Sequence, residues 1–480
     1  MTIHLILRWV KRIWFTLLVV LSLIFISFGM GTKSHVNSFT QNLKSGASLE
    51  VANGSAVALS KDIDRFFMIA NFPIVKQLLA RADVNFTPIK NEISTLVKVA
   101  PALAGADRPK RYLIAFQNSA EARGTGGILG AFAVVEFDKG NLSVIKTGSN
   151  EGLRWLEEIP IAMPEEFKSL YRSDPAIFQN SNLSPHFPYG AKIWLELWRL
   201  QFGQTLDGVI AVDPSALSYM LKATGPVSLP SGKILTSENL VSETLSKAYK
   251  QYEKDNSARK HYFVTIINAT SKKLLEGKFN KLEMARAIQQ GVVENRILIY
   301  STEANVESEL RNTRLAGFME TAPSNQFRAV VQNIDASKLD YYLERKTSIQ
   351  SVGCGVLAKV EVSVSVKNTL KSGEGLPAKV LTRSDRNKPA KIIAGQHRFL
   401  LFIYGPPKSK LLYASKSSTT TSAGNVATER MRPILVADVD LAPGASEKVT
   451  ATFTRGVGPL EYHLQPLVLE ESVQINDECK

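Results

Sequence analysis

The chain has 480 residues, 44% apolar and 21% charged, with a formal net charge of +14 at neutral pH. That balance excludes a disordered protein, and the length exceeds what one growing core holds, so two or three domains are expected. A basic excess suits polyanionic partners such as anionic lipid headgroups, phosphate-bearing glycopolymers or an acidic wall; the plainer alternative is that it only keeps the protein soluble.

An uncharged, mostly apolar run from Ile13 to Met30 follows Arg8, Lys11 and Arg12 and precedes Lys33. A run of about 18 such residues is long enough to cross a bilayer core of roughly 30 Å. The cations ahead of it predict a cytoplasmic N-terminus, with everything after Lys33 outside. A cleaved secretory signal is the competing reading, but such signals have shorter apolar stretches, and Ser27-Phe28-Gly29-Met30-Gly31 lacks an Ala-x-Ala site. Either way the body is exported, so nucleic acid is excluded as a partner by compartment. Residues 1–34 are therefore read as cytoplasmic tail and single-pass anchor in the cell membrane.

Residues 35–110 read as a helical stalk, because apolar residues recur at three- and four-residue intervals over 57–69, 74–82 and 89–103. Ala106-Asp107-Arg108-Pro109 breaks the pattern. Strands follow at 112–116, 128–137, 142–145 and 206–212. A helix at 214–222 has Asp213 as N-cap and Pro214 in its first turn, and stops at Gly225-Pro226. Further helices are predicted at 238–254, 258–275 and 281–291. Strands alternating with helices give a layered α/β domain over 111–345.

Residues 346–480 change character. Short strand candidates at 356–366, 399–404, 435–441, 448–453 and 462–469 indicate an immunoglobulin-like β-sandwich. Cys354 and Cys479 lie near its two ends and form one bridge if their geometry allows it. Six scattered histidines show no metal-ligand spacing, so a zinc enzyme is not expected. Lys379, Arg383, Arg386, Lys388, Lys391, Arg398, Lys408, Lys410 and Lys416 face one acid, Asp385, which reads either as a polyanion-facing edge or as solvated loop charge.

The chemistry concentrates between the first two predicted strands, in Gln117-Asn118-Ser119-Ala120-Glu121-Ala122-Arg123-Gly124-Thr125-Gly126-Gly127-Ile128-Leu129-Gly130. Read as a loop beyond a strand end, it offers the amides Gln117 and Asn118, with Arg123 to fork onto a phosphate. Glu121 would hold a divalent cation or orient the arginine, and Gly126 and Gly127 would bring backbone N–H groups close to oxygens. The glycines miss the spacing of a nucleotide loop. A tight turn with an internal Glu121–Arg123 pair is the structural alternative. Tyr249 and Tyr252, three apart on a helix, read as a packing stripe before a sugar platform.

The stretch from Phe116 through Gly127, Asn182-Leu183-Ser184-Pro185-His186-Phe187-Pro188, Asp207 through Leu217, and Leu221-Lys222-Ala223-Thr224-Gly225-Pro226-Val227 together resemble the bacterial envelope family known as domain of unknown function 4012, DUF4012. That family is itself uncharacterised, so the resemblance implies a location and no reaction. The α/β part is more weakly similar to LytR-CpsA-Psr proteins, which move glycopolymers from a polyprenyl-pyrophosphate carrier to the wall. That similarity implies a layered LytR-CpsA-Psr-like fold, with Glu121 and Arg123 after the first strand and Arg259 on the pyrophosphate, preceded by Asp255. It also implies magnesium. Thr147-Gly148-Ser149-Asn150 stands where those transferases carry an arginine-aspartate pair, which removes one expected metal ligand; Glu151 is the nearest carboxylate to replace it.

The expectation is a membrane-anchored extracytoplasmic protein. Gln117, Asn118, Glu121, Arg123, Gly126, Gly127 and Arg259 would bind a lipid-linked or wall glycopolymer phosphate, with transfer not favoured. The alternative is a non-enzymatic wall-binding or scaffold protein. Convergence of Glu121, Arg123 and Arg259 on one apolar groove separates the two.

Overall fold

The computed structural model describes residues 32–45, 47–70, 87–276, 278–355, 357–371, 375–381, 393–419 and 423–479. The expected anchor from Ile13 to Met30, the helix at 74–82, and Arg383, Asp385, Arg386, Lys388 and Lys391 of the basic run lie outside these residues. Among the described residues, no helix is long and apolar enough to cross a membrane.

Helices α1 (Thr32–Ser45), α2 (Leu49–Ala70) and α3 (Lys90–Leu103) lead into the first sheet. On α2, Ala52, Ala56, Leu59, Ile63 and Phe67 recur at helical spacing and are buried. They share one core with Val97 of α3 and with Ala216, Met284, Ile288 and Val292 further along the chain. Helices α1 to α3, in the region expected to be a stalk, are thus a layer of the α/β body, held there by a face too apolar to stand in water.

The sheet has the order β3-β2-β1-β4-β7. It comprises β1 (Lys110–Arg123), β2 (Gly126–Asp138), β3 (Asn141–Ser149), β4 (Gly208–Val212) and β7 (Ile297–Ser301). Of its four neighbouring pairs, β1–β4 is parallel and the other three are antiparallel. Alternation on β1 feeds two cores: Leu113 and Ala115 face one, Tyr112 and Ile114 the other. The first is roofed by α4 (Glu165–Tyr171) and α5 (Phe187–Phe202), whose Phe187, Trp194 and Trp198 are fully buried.

The strand-to-helix step from β4 into α6 (Pro214–Thr224) follows the sequence reading. Asp213 Oδ1 accepts from the Ala216 N–H at 2.8 Å, and Gly225 ends the helix at a φ of 80°. The Asp213 carboxylate also pairs with the buried Arg296 at 2.5 Å. A short antiparallel hairpin of β5 (Val227–Ser228) and β6 (Ile234–Leu235) and a helical run α7 (240–251), with a π turn over Glu243–Lys247, precede α8 (Asn256–Leu275) and α9 (Lys281–Val293).

Two five-stranded sheets form the sandwich. One has the order β12-β15-β10-β9-β17 and the other β13-β14-β11-β8-β16. Their strands are β8 (Asn325–Asn333), β9 (Leu343–Val352), β10 (Lys359–Asn368), β11 (His397–Tyr404), β12 (Leu411–Lys416), β13 (Asn425–Glu429), β14 (Arg432–Leu441), β15 (Ser446–Thr454), β16 (Leu460–Tyr462) and β17 (Ser472–Asn476). The sandwich therefore begins before the expected boundary at 345/346, since β8 pairs with β11 in its middle. Residues of β8 divide between two cores: Ala329 and Val331 face the sandwich interior, and Val330 joins Leu113 and Trp194.

The strand expected at 462–469 stops at Tyr462. Beyond it the chain is held by side-chain bonds in place of a ladder. The Gln465 amide accepts from Val331 N at 2.9 Å and donates to Val331 O at 2.9 Å and Arg123 O at 2.8 Å. Cys354 and Cys479 are disulfide-bonded, with Cα atoms 5.5 Å apart. The bridge ties the turn after β9 to the end of β17, which runs parallel to β9.

Candidate functional site

The stretch read as a loop is a bulged hairpin. Gln117 lies opposite Leu129 and Asn118 opposite Ile128; the next pair is Ala122 with Gly127, so Ser119, Ala120 and Glu121 have no counterpart on β2. The Asn118 side chain turns the bulge by accepting from Ala120 N at 3.1 Å. A bulge re-aims side chains that would otherwise alternate. Asn118, Glu121 and Arg123 all line one cavity of about 740 Å³.

Gly126 and Gly127 do not line that cavity, which corrects their expected role. A Cβ on Gly127 would stand 2.0 Å from Asn118 O, and Gly126 has a φ of 135°. They let the two strands meet. Gln117 reaches the cavity wall, but its amide is engaged with Thr125 Oγ1 at 2.8 Å and the Asn182 amide at 2.9 Å.

The cavity is apolar on most sides, with Leu217 of α6, Leu245 of α7, Phe263 and Ile267 of α8, and Phe402 of β11 among its walls. Trp155, 71% exposed, stands at its edge. Four cations line it, Arg123, Arg259, Lys260 and Lys338, against the carboxylates Glu121 and Asp174. The two arginines differ sharply. Nε and Nη2 of Arg123 donate to Asn180 Oδ1 at 3.0 and 2.8 Å, and its Nη1 donates to Ala122 O at 2.8 Å and Asn333 O at 3.1 Å. Burial lowers its guanidinium below the usual range.

Arg259, 7% exposed, donates through Nη2 to Asn256, while its buried Nε and Nη1 have no partner among the described residues. Its guanidinium lies over the Tyr249 ring, 4.5 Å from the centroid. Asp255, expected beside it, is the N-cap of α8, accepting from Ala258 N at 2.8 Å. Tyr249 is thus part of the site. Asn118 Nδ2 donates to its hydroxyl at 2.9 Å, and burial, with Glu121 adding to it, pushes that hydroxyl well up, so it stays protonated. Burial lowers the Lys260 ammonium from the usual lysine range, with Glu151 opposing that shift.

Glu121 is held by Lys338 Nζ at 3.1 Å on one oxygen and by Asn118 Nδ2 at 3.2 Å on the other. That donor set fits a lysine better than magnesium, because both carboxylate oxygens already carry a partner. Among the described residues, no three of His, Cys, Asp and Glu gather as a metal site. Asn150 lines the cavity and donates to Leu129 O at 3.0 Å, whereas Glu151 is exposed and does not line it.

The structure brings Gln117, Asn118, Glu121, Arg123 and Arg259 together and leaves out Gly126 and Gly127. Sequence reasoning missed Lys260, Lys338, Asp174 and Asn180. Only Lys260 carried a signal, as the neighbour of Arg259 on one helix.

Residues 107–249 match a family model described as Protein of unknown function (DUF4012). The match includes the bulged hairpin and Tyr249 and ends before Arg259. No curated protein matches the chain. Among solved structures, the crystal structure of protein gbs0355 from Streptococcus agalactiae is similar at 13% identity, over 47% of this chain and 81% of that one, with a TM-score of 0.26.

Proposed function

We propose that this is a membrane-anchored, extracytoplasmic envelope protein that binds a lipid-linked glycopolymer through its phosphate or pyrophosphate, as the resemblance to LytR-CpsA-Psr proteins suggests. The carrier chain lies along Leu217, Leu245, Phe263 and Ile267, and the phosphate oxygens meet Arg259, with Lys260 and Lys338 adding positive charge. Arg123 positions the hairpin, since its donors are largely spent inside the protein. Binding is the proposed activity. Transfer is not, because Glu121 is engaged by Lys338 and Asn118.

The observation that carries this reading is Arg259, a buried guanidinium with two donor atoms unpartnered among the described residues, in a cavity apolar on most sides. Such donors are costly to bury unless an acceptor arrives, and a phosphate is the natural one. A non-enzymatic wall-binding or scaffold role is the second reading, favoured by the internal bonding of Arg123. The test compares binding of a short polyprenyl pyrophosphate with the polyprenol of equal length to the full chain in mild detergent. At least tenfold tighter binding of the pyrophosphate is expected; equal affinity overturns the phosphate contact. Reporter fusions that place residue 480 in the cytosol overturn the topology.

A further inference from the structure

The tip of the β1–β2 hairpin stands between two cavities. Arg123 lines the first, while Gly124 and Thr125 line a second of about 590 Å³. The second is also walled by the 311–318 segment, the start of β8 and the chain from His463 to Pro466, and it is polar. Its cations are Lys90, Arg311, Arg314 and Arg328.

The carboxylates around it are already engaged. Glu92 accepts from Arg314 N at 3.0 Å, Glu320 pairs with Arg311 at 3.3 Å, and Glu461 accepts from Gln326 Nε2 at 3.1 Å. Lys90 pairs with Asp64 at 3.5 Å. Arg328 is different. It is 7% exposed, its Nε is buried without a partner among the described residues, and its one side-chain bond runs from Nη2 to His463 Nδ1 at 3.3 Å. Glu429 acts on it through space without an ion pair.

A charged guanidinium buried beside an imidazole, with no carboxylate in contact among the described residues, is costly unless an anion supplies what they do not. Burial holds the Arg328 guanidinium down at about 10, still charged at neutral pH. Burial and the neighbouring Arg328, Arg314 and Arg432 hold His463 well below its usual value, so it is neutral and accepts from Arg328. Arg314, exposed at the mouth, spends Nη1 on Val293 O at a long 3.3 Å.

We propose that this second cavity is a phosphate-binding site, separate from the first, in which Arg328 from within and Arg314 from the rim hold a phosphate or phosphodiester group. Planar donors at two depths suit a tetrahedral oxyanion better than a spherical halide. The group comes either from free phosphate or from a phosphodiester-linked polymer.

The test titrates inorganic phosphate, and separately a glycerol-phosphate trimer, into the full chain in mild detergent at matched ionic strength, read by thermal shift and calorimetry. Saturable binding is expected in Arg259→Met, where the first cavity is silenced, with at least a tenfold loss when Arg314→Gln or Arg328→Met is added to it. Tighter binding of the trimer identifies a polymer segment as the ligand, and equal binding identifies free phosphate. If Arg328→Met does not fold, the exposed Arg314→Gln carries the test. No saturation in Arg259→Met, or saturation undiminished when Arg314→Gln is added to it, overturns the second site. The polyprenyl-pyrophosphate reading is tested in the other cavity and stands or falls separately.

Discussion

Replacing Arg259 by Met keeps most of the side-chain volume and removes the charge. In the ligand-free protein its two unpartnered donor atoms each carry an unsatisfied-burial penalty of about 1–3 kcal/mol. Against that stand one bond to Asn256, about 1.5 kcal/mol, and stacking on Tyr249, about 0.5–1 kcal/mol. The balance favours Met, so the variant is expected to be as stable as wild type or more so, by up to about 4 kcal/mol. Affinity moves the other way. Two charge-assisted bonds to phosphate contribute about 3–6 kcal/mol together, so Kd for a polyprenyl pyrophosphate rises roughly a hundred- to ten-thousandfold. Thermal denaturation of the apo protein and fluorescence titration of the ligand measure both. A variant destabilised by more than about 1 kcal/mol that still binds within threefold of wild type would show Arg259 to be a structural residue.

Arg123→Ala should behave oppositely, losing about 3–5 kcal/mol because Ala122 O, Asn333 O and Asn180 lose their donor; an unchanged melting temperature would contradict the hydrogen-bond pattern. Burial raises the Glu307 carboxyl to about 7, so the folded protein holds its proton where the unfolded chain, with an ordinary carboxylate, releases it. Stability is then fullest below about 4.5 and falls by about 2–3 kcal/mol as the pH rises to about 7. Melting curves across that window should lose this component in Glu307→Gln, and an identical pH slope in both proteins would refute it. Cys354→Ser opens a bridge spanning 125 residues and should cost about 2–5 kcal/mol in chemical denaturation without touching ligand affinity; an equal loss from adding reductant to wild type checks that the bridge is the cause.

Local patterns were legible where one residue type has one job. Asp213, Pro214 and Gly225 mark the ends of α6 because capping is a short-range rule, and the continuous apolar run of β1 and the period-two run of β10 reveal strands. The bulge was not legible. Asn118-Ser119-Ala120-Glu121 reads as a loop because Gly126 and Gly127 look like turn residues, whereas their smallness serves strand contact. Lys338 stands far from Glu121 in sequence, so no spacing rule links them. Arg123 and Arg259 looked equivalent as guanidinium groups, and only the count of spent donors separates them. The segment after Tyr462 has strand-like composition, but Gln465 replaces the ladder with its side chain.

Because β8 shows one face to each of two cores, and Val330, Phe402, Tyr404 and Ile434 complete the core that contains Trp194, the family-matched stretch cannot be cut out as a working unit. A fragment ending near residue 324 would forfeit Lys338 from the cavity, the Gln465 clasp on Arg123 and the lid over Trp194 together. Expression trials on such a truncation should yield aggregates, and any assay of the hairpin in isolation would report on a surface that the whole protein never shows to solvent.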